Sequence, residues 1–372
     1  MKTTKKRIIS TISVLATLFS CKGKTIKLND TAVYENAKFH SAVVDIKIED
    51  FNNLGFTLGD SCDVLFSNGY SLEDVPYYNG YYVKNAAPVI VAYPNDTYLT
   101  ITLNNTGIWS LAGLEYGDKV NITLKEKGKY LSTQEALSQN YSLLREEYDN
   151  DEEFSNFRVL KGGKLKDNLF YRGASPVDNS RNRARITDSL LEKYGIGYVI
   201  DLADSEEDME TYLKEDDFDS PYTESLYEED RISFLALGSG YTTQAYKESL
   251  VIGLKSLLDN DGPYYIHCME GKDRTGFVSM LILALAGASY EEMCLDYMKT
   301  YENYYKITKN GSKEKYDAIV SLYFDSFIEA IYDNDDVLTY KSMDFTRYAK
   351  DYLVDGGMTD EEVDTLIKKI CK

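Results

Sequence analysis

Histidine is scarce in this sequence. The 372 residues include only two histidines, His40 and His267, and a single tryptophan. A zinc site built on several imidazole ligands, or a Ser-His-Asp triad, therefore has little material to draw on. The sequence points away from zinc enzymes and serine hydrolases, and we expect no cofactor.

Cysteine is also sparse, with five residues in the chain. Cys62, Cys294 and Cys371 are scattered, without the spacing of metal ligands or of a disulfide framework. Cys294 lies within a helical pattern, where a free cysteine acts as a small apolar core residue. The two remaining cysteines, Cys21 and Cys268, carry the functional predictions that follow.

Positive charge is in deficit, with 41 lysines and arginines against 61 acidic residues and a net charge of −20. This balance argues against nucleic-acid binding, which needs a basic face. A small anionic substrate remains compatible with it, because one local basic pocket is enough to hold a phosphate. Tyrosine is abundant, at 33 residues, and we interpret it as strand surface and packing.

The first 21 residues have the pattern of a secretory signal. Four basic side chains within residues 2–7 precede an apolar segment, 8–19, that is too short to span a bilayer comfortably. The ending "LFSC" resembles the lipobox of bacterial lipoproteins, in which the cysteine is lipidated. We therefore expect an exported protein held on the extracytoplasmic side of a bacterial cell membrane by a lipid on Cys21, with residues 22–37 as a tether. A plain secretory signal or a buried N-terminal helix is the alternative.

Two kinds of pattern divide the rest of the chain. Residues 38–127 contain short alternating segments such as "SAVVDIKI" and "DKVNITL", separated by turn clusters. They predict a small all-β barrel or sandwich with no indicated ligand. Residues 128–157 are polar and acidic and are expected to connect it to a second domain. In residues 158–372 strands alternate with helices, which predicts a mostly parallel sheet flanked by helices.

Three predicted strand ends in the second domain carry reactive side chains. One strand ends at Arg172, one at Asp201 and one at His267, followed by Cys268. The carboxyl ends of parallel strands share one edge of a sheet, which is where ligand sites gather. We therefore expect these groups to meet there.

The segment "HCMEGKDRTG" places a cysteine and an arginine at the two ends of a loop between strand and helix. Its backbone N–H groups and the helix N-terminus can form an anion cradle, in which Gly271 permits the tight turn and Gly276 lets the helix pack closely. A thiol in such a pocket ionises readily, and a guanidinium binds two phosphate oxygens at once. The pattern predicts that Cys268 attacks phosphorus while Arg274 stabilises the transition state.

This segment resembles the His-Cys-x5-Arg-Ser/Thr signature of the cysteine-based protein tyrosine phosphatase superfamily. Its "GKDRTG" ending is similar to bacterial tyrosine phosphatases that also act on phosphoinositides, and "NLFYRGAS", "YVIDLADSEED" and "LDYMKTY" resemble other parts of that family. The resemblance covers most of the second domain and nothing of residues 38–127. It implies a phosphatase that acts through a phosphocysteine on a phosphotyrosine protein, a phosphoinositide or an inositol phosphate.

By this resemblance Cys268 is the nucleophile and Arg274 the phosphate clamp. His267 would orient the loop and favour the thiolate, and Thr275 would offer its hydroxyl to the sulfur. The other predicted phosphate-binding positions are Met269, Glu270, Gly271, Lys272, Gly276 and Arg172.

The leaving oxygen needs a proton donor, which is usually an aspartate near the cradle. Asp201 in "DLAD" is the first candidate, although Ala203 stands where the family typically has an arginine. Asp273 inside the loop is the second candidate and Asp204 the third. We interpret the segment "DSEEDME" as a whole as the start of a solvated helix.

Basic residues near the loop bear on the substrate. In the resembling enzymes a lysine at the position of Lys272 suits substrates with more than one phosphate, but a surface lysine that balances Asp273 is an equal alternative. Arg181, Arg183 and Arg185 in "NSRNRAR" could bind a second phosphate or a phosphopeptide, or pair with surface carboxylates.

Two other functions remain open. Rhodaneses and arsenate reductases also hold an oxyanion in a cysteine loop, although the histidine before and Thr-Gly after this loop argue against both. A non-catalytic adhesion or phosphate-binding lipoprotein is the other, in which the β domain does the work.

Overall fold

The computed structural model describes residues 25–37, 39–84, 86–94, 96–104, 106–238, 240–332 and 343–372. They form a β-barrel followed by an α/β domain. The predicted signal sequence and Cys21 lie outside the described residues. Among the helices in these ranges, none is both long and apolar enough to cross a membrane.

Seven strands close into a barrel in the order β1-β2-β6-β5-β4-β3-β7, with β7 paired back to β1. Neighbouring strands are antiparallel except β4 and β5, which run parallel. The strands are β1 (Lys27–Asn36), β2 (Ser41–Lys47), β3 (Ser61–Phe66), β4 (Ser71–Tyr78), β5 (Pro88–Val91), β6 (Tyr98–Leu103) and β7 (Lys119–Glu126). A short helix, α1 (Ile48–Asn53), follows β2. The structure therefore decides between the two predicted β architectures in favour of the barrel.

The alternating pattern of the strands sets which side chains enter the barrel. In "DKVNITL" the apolar residues Val120 and Ile122 are fully buried, while Lys119, directly before Val120 in the chain, is exposed. Successive side chains of a strand point to opposite faces, so apolar residues two positions apart share the interior. Cys62 is also buried in this core.

The barrel begins earlier than the sequence indicated. Residues 22–37 were predicted to be a tether, and this is wrong from Lys27 onward because β1 pairs with both β2 and β7. Leu28 and Val33 are the buried side chains of this strand. The polar composition of β1 does not indicate a strand in the sequence, because β1 contributes mainly the backbone hydrogen bonds that close the barrel.

The connector is bound to both parts of the molecule. It contains α2 (Leu131–Leu137), in which the Gln134 side chain donates to Asn79 Oδ1 of the barrel at 2.7 Å. From the same helix the Ser132 hydroxyl donates to Glu314 of the α/β domain at 3.0 Å.

A five-stranded sheet in the order β11-β10-β12-β9-β8 forms the α/β domain. The first four strands in this order run parallel, and β8 is an antiparallel edge strand. The strands are β8 (Arg158–Val159), β9 (Phe170–Gly173), β10 (Tyr198–Asp201), β11 (Ile232–Phe234) and β12 (Tyr264–His267). The sheet is therefore mostly parallel, as predicted, with one antiparallel strand in addition.

Helices pack on both faces of this sheet. In β12, Tyr264 and Ile266 belong to the large core that includes α7 and α8, while Tyr265 belongs to the core with α4 and α6. The helices are α3 (Asp151–Phe154), α4 (Ala184–Tyr194), α5 (Glu206–Tyr212), α6 (Pro221–Glu228), α7 (Gln244–Asp259), α8 (Asp273–Leu285), α9 (Tyr290–Tyr305), α10 (Lys313–Ile319), α11 (Asp325–Ile331), α12 (Phe345–Asp355) and α13 (Asp360–Ile370).

Several helix starts follow directly from the sequence. Capping boxes at Ser289 and Thr359 open α9 and α13, and a third at Ser205 opens α5, within the segment interpreted as a helix start. The apolar helix α8 is buried along its length from residue 275 to 285. After α9 there is one helical run from α10 through a π-helical turn to α11, and then α12 and α13.

Candidate active site

Cys268 lies directly after β12, the central strand, at the carboxyl edge of the sheet. In the strand register, His267 lies between Asp201 of β10 and Gly173 of β9. The predicted convergence of the strand ends is therefore present. Cys268 itself is 4% exposed, so the thiol lies at the base of the loop rather than on the surface.

The loop between β12 and α8 holds its carbonyl groups outward. Each carbonyl from residue 269 to 272 accepts a hydrogen bond from a group outside the loop or from α8. The donors are the Ser175 N–H, the Tyr304 hydroxyl, the Asn156 amide, the Arg172 guanidinium and the Gly276 N–H. A trans peptide bond points its N–H away from its carbonyl, so the N–H groups of residues 270–273 face the opposite side. That side adjoins the N-terminus of α8, which makes it an anion cradle.

Arg172 supports this loop from behind. Its guanidinium is fully buried and donates to the Gly271 carbonyl at 2.8 Å and to Asp296 of α9. Arg172 therefore lies against the carbonyl side of the loop, and its direct contact with phosphate stays a prediction. Burial alone would raise the pKa of Asp296, but Arg172 and Arg158 hold that pKa below its usual range, and the carboxylate balances the buried charge.

The structure gives both loop glycines a steric reason. Gly271 has φ +65°, and a Cβ there would collide with the backbone of Gly173. A Cβ at Gly276 would lie 2.8 Å from the ring of Tyr297. Glycine is therefore required at the first position for backbone conformation and contact, and at the second for close packing of α8 on α9.

His267 and Asp201 form a buried pair beneath the loop, each 1% exposed, with His267 Nε2 3.6 Å from Asp201 Oδ2. The other oxygen of Asp201 accepts hydrogen bonds from the N–H groups of Ala203 at 2.8 Å and Asp204 at 3.1 Å. Burial lowers the pKa of His267 to about 4 and raises that of Asp201 to about 6. The imidazole is therefore neutral, and Asp201 orders the turn after β10.

Asp204, the third candidate for the proton donor, is a buried acidic residue close to Asp201. Burial and the neighbouring Asp201 raise its pKa to about 7. Its Oδ1 accepts from the Tyr212 hydroxyl at 3.3 Å, and its buried Oδ2 has no partner among the described residues. The sequence offers no signal for this, because the shift comes from burial.

Asp273 occupies a different environment, at the first turn of α8. Its side chain is 49% exposed, accepts from the Tyr297 hydroxyl at 3.4 Å and lies 3.6 Å from the ammonium of Lys272. Lys272 is also 3.8 Å from Glu270. Lys272 therefore has two acidic neighbours within ion-pair distance, and both interpretations of its role stay predictions.

Arg274 and Thr275 begin α8 on the side of the cradle. Arg274 Nη1 donates to the Leu237 carbonyl at 2.8 Å, and the guanidinium has no ion pair in the part of the chain described here. Thr275 is fully buried, and its hydroxyl lacks a partner among the same residues. Both groups are therefore available to a bound anion or to the thiol.

The three arginines of "NSRNRAR" separate into three environments. Arg181 Nε lies 3.4 Å from Glu270 of the loop. Arg183 is buried, with its guanidinium 4.9 Å from the ring centre of Tyr141. Arg185 pairs with Asp219 at the surface. Only Arg181 among them reaches the loop.

Within the described ranges, no group of three or more His, Cys, Asp or Glu side chains is arranged to hold a metal ion.

Comparisons with known proteins agree with this geometry at the level of family. No curated protein matches the chain. One similar solved structure is an uncharacterized conserved protein from Thermotoga maritima, 17% identical over 27% of this chain and 38% of that chain, with a TM-score of 0.22. Another is the core catalytic domain of PP-IP phosphatase SIW14 from S. cerevisiae in complex with citrate, 18% identical over 47% of this chain and 90% of that chain, with a TM-score of 0.27.

The chain thus spans 38% of the length of the first of these structures, and both TM-scores are too low to support an argument about function. The family model carries more weight, because it matches residues 145–372, which include the whole loop and the sheet around it. The chain belongs to the tyrosine phosphatase family.

Proposed function

We propose that this protein hydrolyses phosphate monoesters through a phosphocysteine intermediate, and that its substrate is phosphotyrosine in proteins. The observation that supports this most is the loop 268–274, in which outward carbonyls leave a row of N–H groups beside an unpaired guanidinium. Such a cradle matches the three non-bridging oxygens of a phosphoryl group. A phosphoinositide or an inositol phosphate is the alternative substrate.

In the first step the Cys268 thiolate attacks phosphorus, the ester P–O bond breaks and the leaving oxygen takes a proton from a carboxyl group. In the second step water attacks the phosphocysteine, the P–S bond breaks and the proton of that water returns to the carboxylate. Orthophosphate leaves and the thiolate is restored. Arg274 and the loop N–H groups bind the oxygens in both steps, His267 orders the loop, and the Thr275 hydroxyl stabilises the departing sulfur.

We assign the proton donor to Asp204. A pKa of about 7 keeps much of this carboxyl protonated near neutral pH, which is the condition for an efficient general acid. Asp273 is more exposed and lies at the N-terminus of α8, 3.6 Å from the Lys272 ammonium, so it already has a charged partner within the loop. Asp201 lies against His267 and accepts hydrogen bonds from the turn after β10, so we assign it a positioning role.

Rapid-quench labelling tests the intermediate. Mixing the chain from Lys22 onward with a phosphorus-labelled aryl phosphate, followed by denaturation at alkaline pH, should give up to one equivalent of phosphoprotein before steady state, and Cys268→Ser should give none. Release of orthophosphate identifies a phosphatase, whereas thiocyanate from thiosulfate and cyanide, or arsenite from arsenate and a thiol reductant, would identify the other cysteine enzymes. Absence of turnover on every phosphate ester would favour the non-catalytic lipoprotein.

The lipid anchor is a separate proposal, since Cys21 lies outside the described residues. Expression with labelled palmitate in a bacterium should label the parent protein and leave Cys21→Ser unlabelled. Equal labelling of the two would contradict the lipobox interpretation.

A further inference from the structure

Glu270 places a carboxylate inside the anion-binding loop, in addition to that of Asp273 at the start of α8. Its Oε1 accepts from the Tyr141 hydroxyl and lies 3.4 Å from Arg181 Nε, and its Oε2 lies 3.8 Å from Lys272 Nζ. The side chain is 21% exposed. It therefore lies between the two cations that border the loop in addition to Arg274.

The position of this carboxylate is fixed by its surroundings. The Tyr141 ring stacks on Tyr304 at 4.7 Å between centroids and lies under the guanidinium of Arg183. Burial and the Glu270 carboxylate raise the pKa of Tyr141, so its hydroxyl stays protonated and keeps donating. Glu270 cannot leave Arg181 and Lys272 without losing its hydrogen bond to this half-buried hydroxyl.

A charge inventory of the loop shows what remains for a substrate. Arg172 is paired with Asp296, Arg181 with Glu270, and Lys272 with both Glu270 and Asp273. Within the described residues Arg274 is the loop cation without a carboxylate within ion-pair distance. The loop therefore offers the unpaired guanidinium of Arg274 to one phosphoryl group. Among the described residues, no second unpaired cation of the loop remains for another phosphate.

We propose that Glu270 is a specificity-determining residue that restricts this site to esters carrying a single phosphate. A second phosphate beside the reacting one would seek Arg181 and Lys272, and it would have to displace Glu270 from both or lie against its negative charge. This inference rests on the proposed function, and it selects phosphotyrosine over polyphosphorylated inositols as the substrate class.

The test compares Glu270→Gln with Glu291→Gln, an exposed residue of α9 that gives the same change in net charge. For each variant kcat/KM is measured with a phosphotyrosine peptide and with inositol hexakisphosphate. In Glu270→Gln the ratio of the second value to the first should rise about tenfold, because one unit of repulsion close to the second phosphate is removed. In Glu291→Gln the ratio should stay at the parent's value.

A binding measurement keeps the two proposals separable. In a Cys268→Ser background, calorimetry should show tighter binding of inositol hexakisphosphate after Glu270→Gln, and adding Lys272→Met should remove that gain. Lys272→Met alone should change this affinity little, because Glu270 and Asp273 already balance the charge of Lys272 in the parent.

An unchanged ratio and unchanged binding in Glu270→Gln, or equal gains in Glu291→Gln, would overturn the role of Glu270. If the parent hydrolyses no phosphate ester, the proposed function is wrong, and the binding measurement still decides whether Glu270 excludes a second phosphate. Loss of orthophosphate binding in Glu270→Gln would assign Glu270 to loop structure and contradict the specificity role.

Discussion

The barrel and the α/β domain treat their buried polar atoms differently. In the barrel, the fully buried carboxylate of Asp60 accepts hydrogen bonds from Thr57, Lys127 and Gly128. The described side-chain atoms that are buried without any partner all lie in the α/β domain, between residues 155 and 279. Four of them belong to residues that adjoin the loop or the buried pair beneath it, and they are His267 Nδ1, Asp204 Oδ2, Thr275 Oγ1 and Arg172 Nε.

The location of the unpartnered buried atoms shows which part of the molecule is less stable than full hydrogen bonding would make it. An unpartnered buried polar atom is unfavourable, and native proteins keep such atoms chiefly where function requires them. Among the described residues of the barrel, buried side-chain polar atoms have hydrogen-bond partners, as expected of a structural module. Around Cys268 at the edge of the sheet several such atoms have none, as expected of a site that binds a ligand. Matched substitutions in the two parts test this comparison directly.

The largest contrast is expected between two buried cysteines. Cys268→Ser should lower kcat on p-nitrophenyl phosphate by about 10⁴-fold or more, because the nucleophile is lost. In the barrel, burial and Asp60 raise the pKa of Cys62 to about 12, so its thiol is inert. Cys62→Ser should leave kcat unchanged and lower the free energy of unfolding by about 1–3 kcal/mol, because a hydroxyl enters an apolar core. Steady-state kinetics and urea titrations measure both, and substantial activity in Cys268→Ser would contradict the mechanism.

The next contrast is between two buried aspartates. Asp204→Asn should lower kcat about 10²-fold for alkyl phosphates and only a few-fold for p-nitrophenyl phosphate, because a poor leaving group depends on the proton donor. A carboxyl group with a pKa of about 7 is active in its protonated form, so kcat should fall as pH rises through 7 in the parent, and this fall should vanish in Asp204→Asn.

Asp60→Asn serves as the barrel control and should lower stability without altering the pH profile of kcat. If Asp273→Asn, rather than Asp204→Asn, removes both the leaving-group dependence and the alkaline fall, the proton donor is Asp273.

The smallest contrast is between two glycines with nearly the same backbone conformation, Gly271 at φ +65° and Gly113 at φ +61°. Alanine at Gly113 meets open space and should cost about 1–2 kcal/mol of stability from backbone strain alone. Alanine at Gly271 would also push the loop away from Gly173, and displacement of catalytic groups by about 1 Å can cost about 10²-fold in kcat/KM. Equal effects on activity would show that the contact with Gly173 does not hold the loop in place.

Local patterns predicted the parts of the molecule that local chemistry determines. The loop between Cys268 and Arg274 is recognisable because its residues are consecutive, and the capping box at Ser289 needs only four positions. The alternation in "DKVNITL" likewise places Val120 and Ile122 inside the barrel without reference to any other strand.

The features that the sequence did not predict depend on partners far away in the chain. Arg172 stands at a strand end, but Asp296, 124 positions later, determines that its side chain lies behind the loop. The pKa of Asp204 depends on burial by several elements, and β1 is stabilised by pairing with strands on either side. The pairing of Glu270 with Tyr141 spans 129 positions, so a glutamate in this loop has no predictable partner in the sequence.

The outward carbonyls of the loop, fastened from behind by Arg172, Asn156 and Tyr304, have a consequence for turnover. Because the cradle keeps its shape without a ligand, little binding free energy is lost in ordering the loop when the product, orthophosphate, binds. Orthophosphate should therefore compete with substrate, and the free phosphate in the surroundings would set the working rate of the protein.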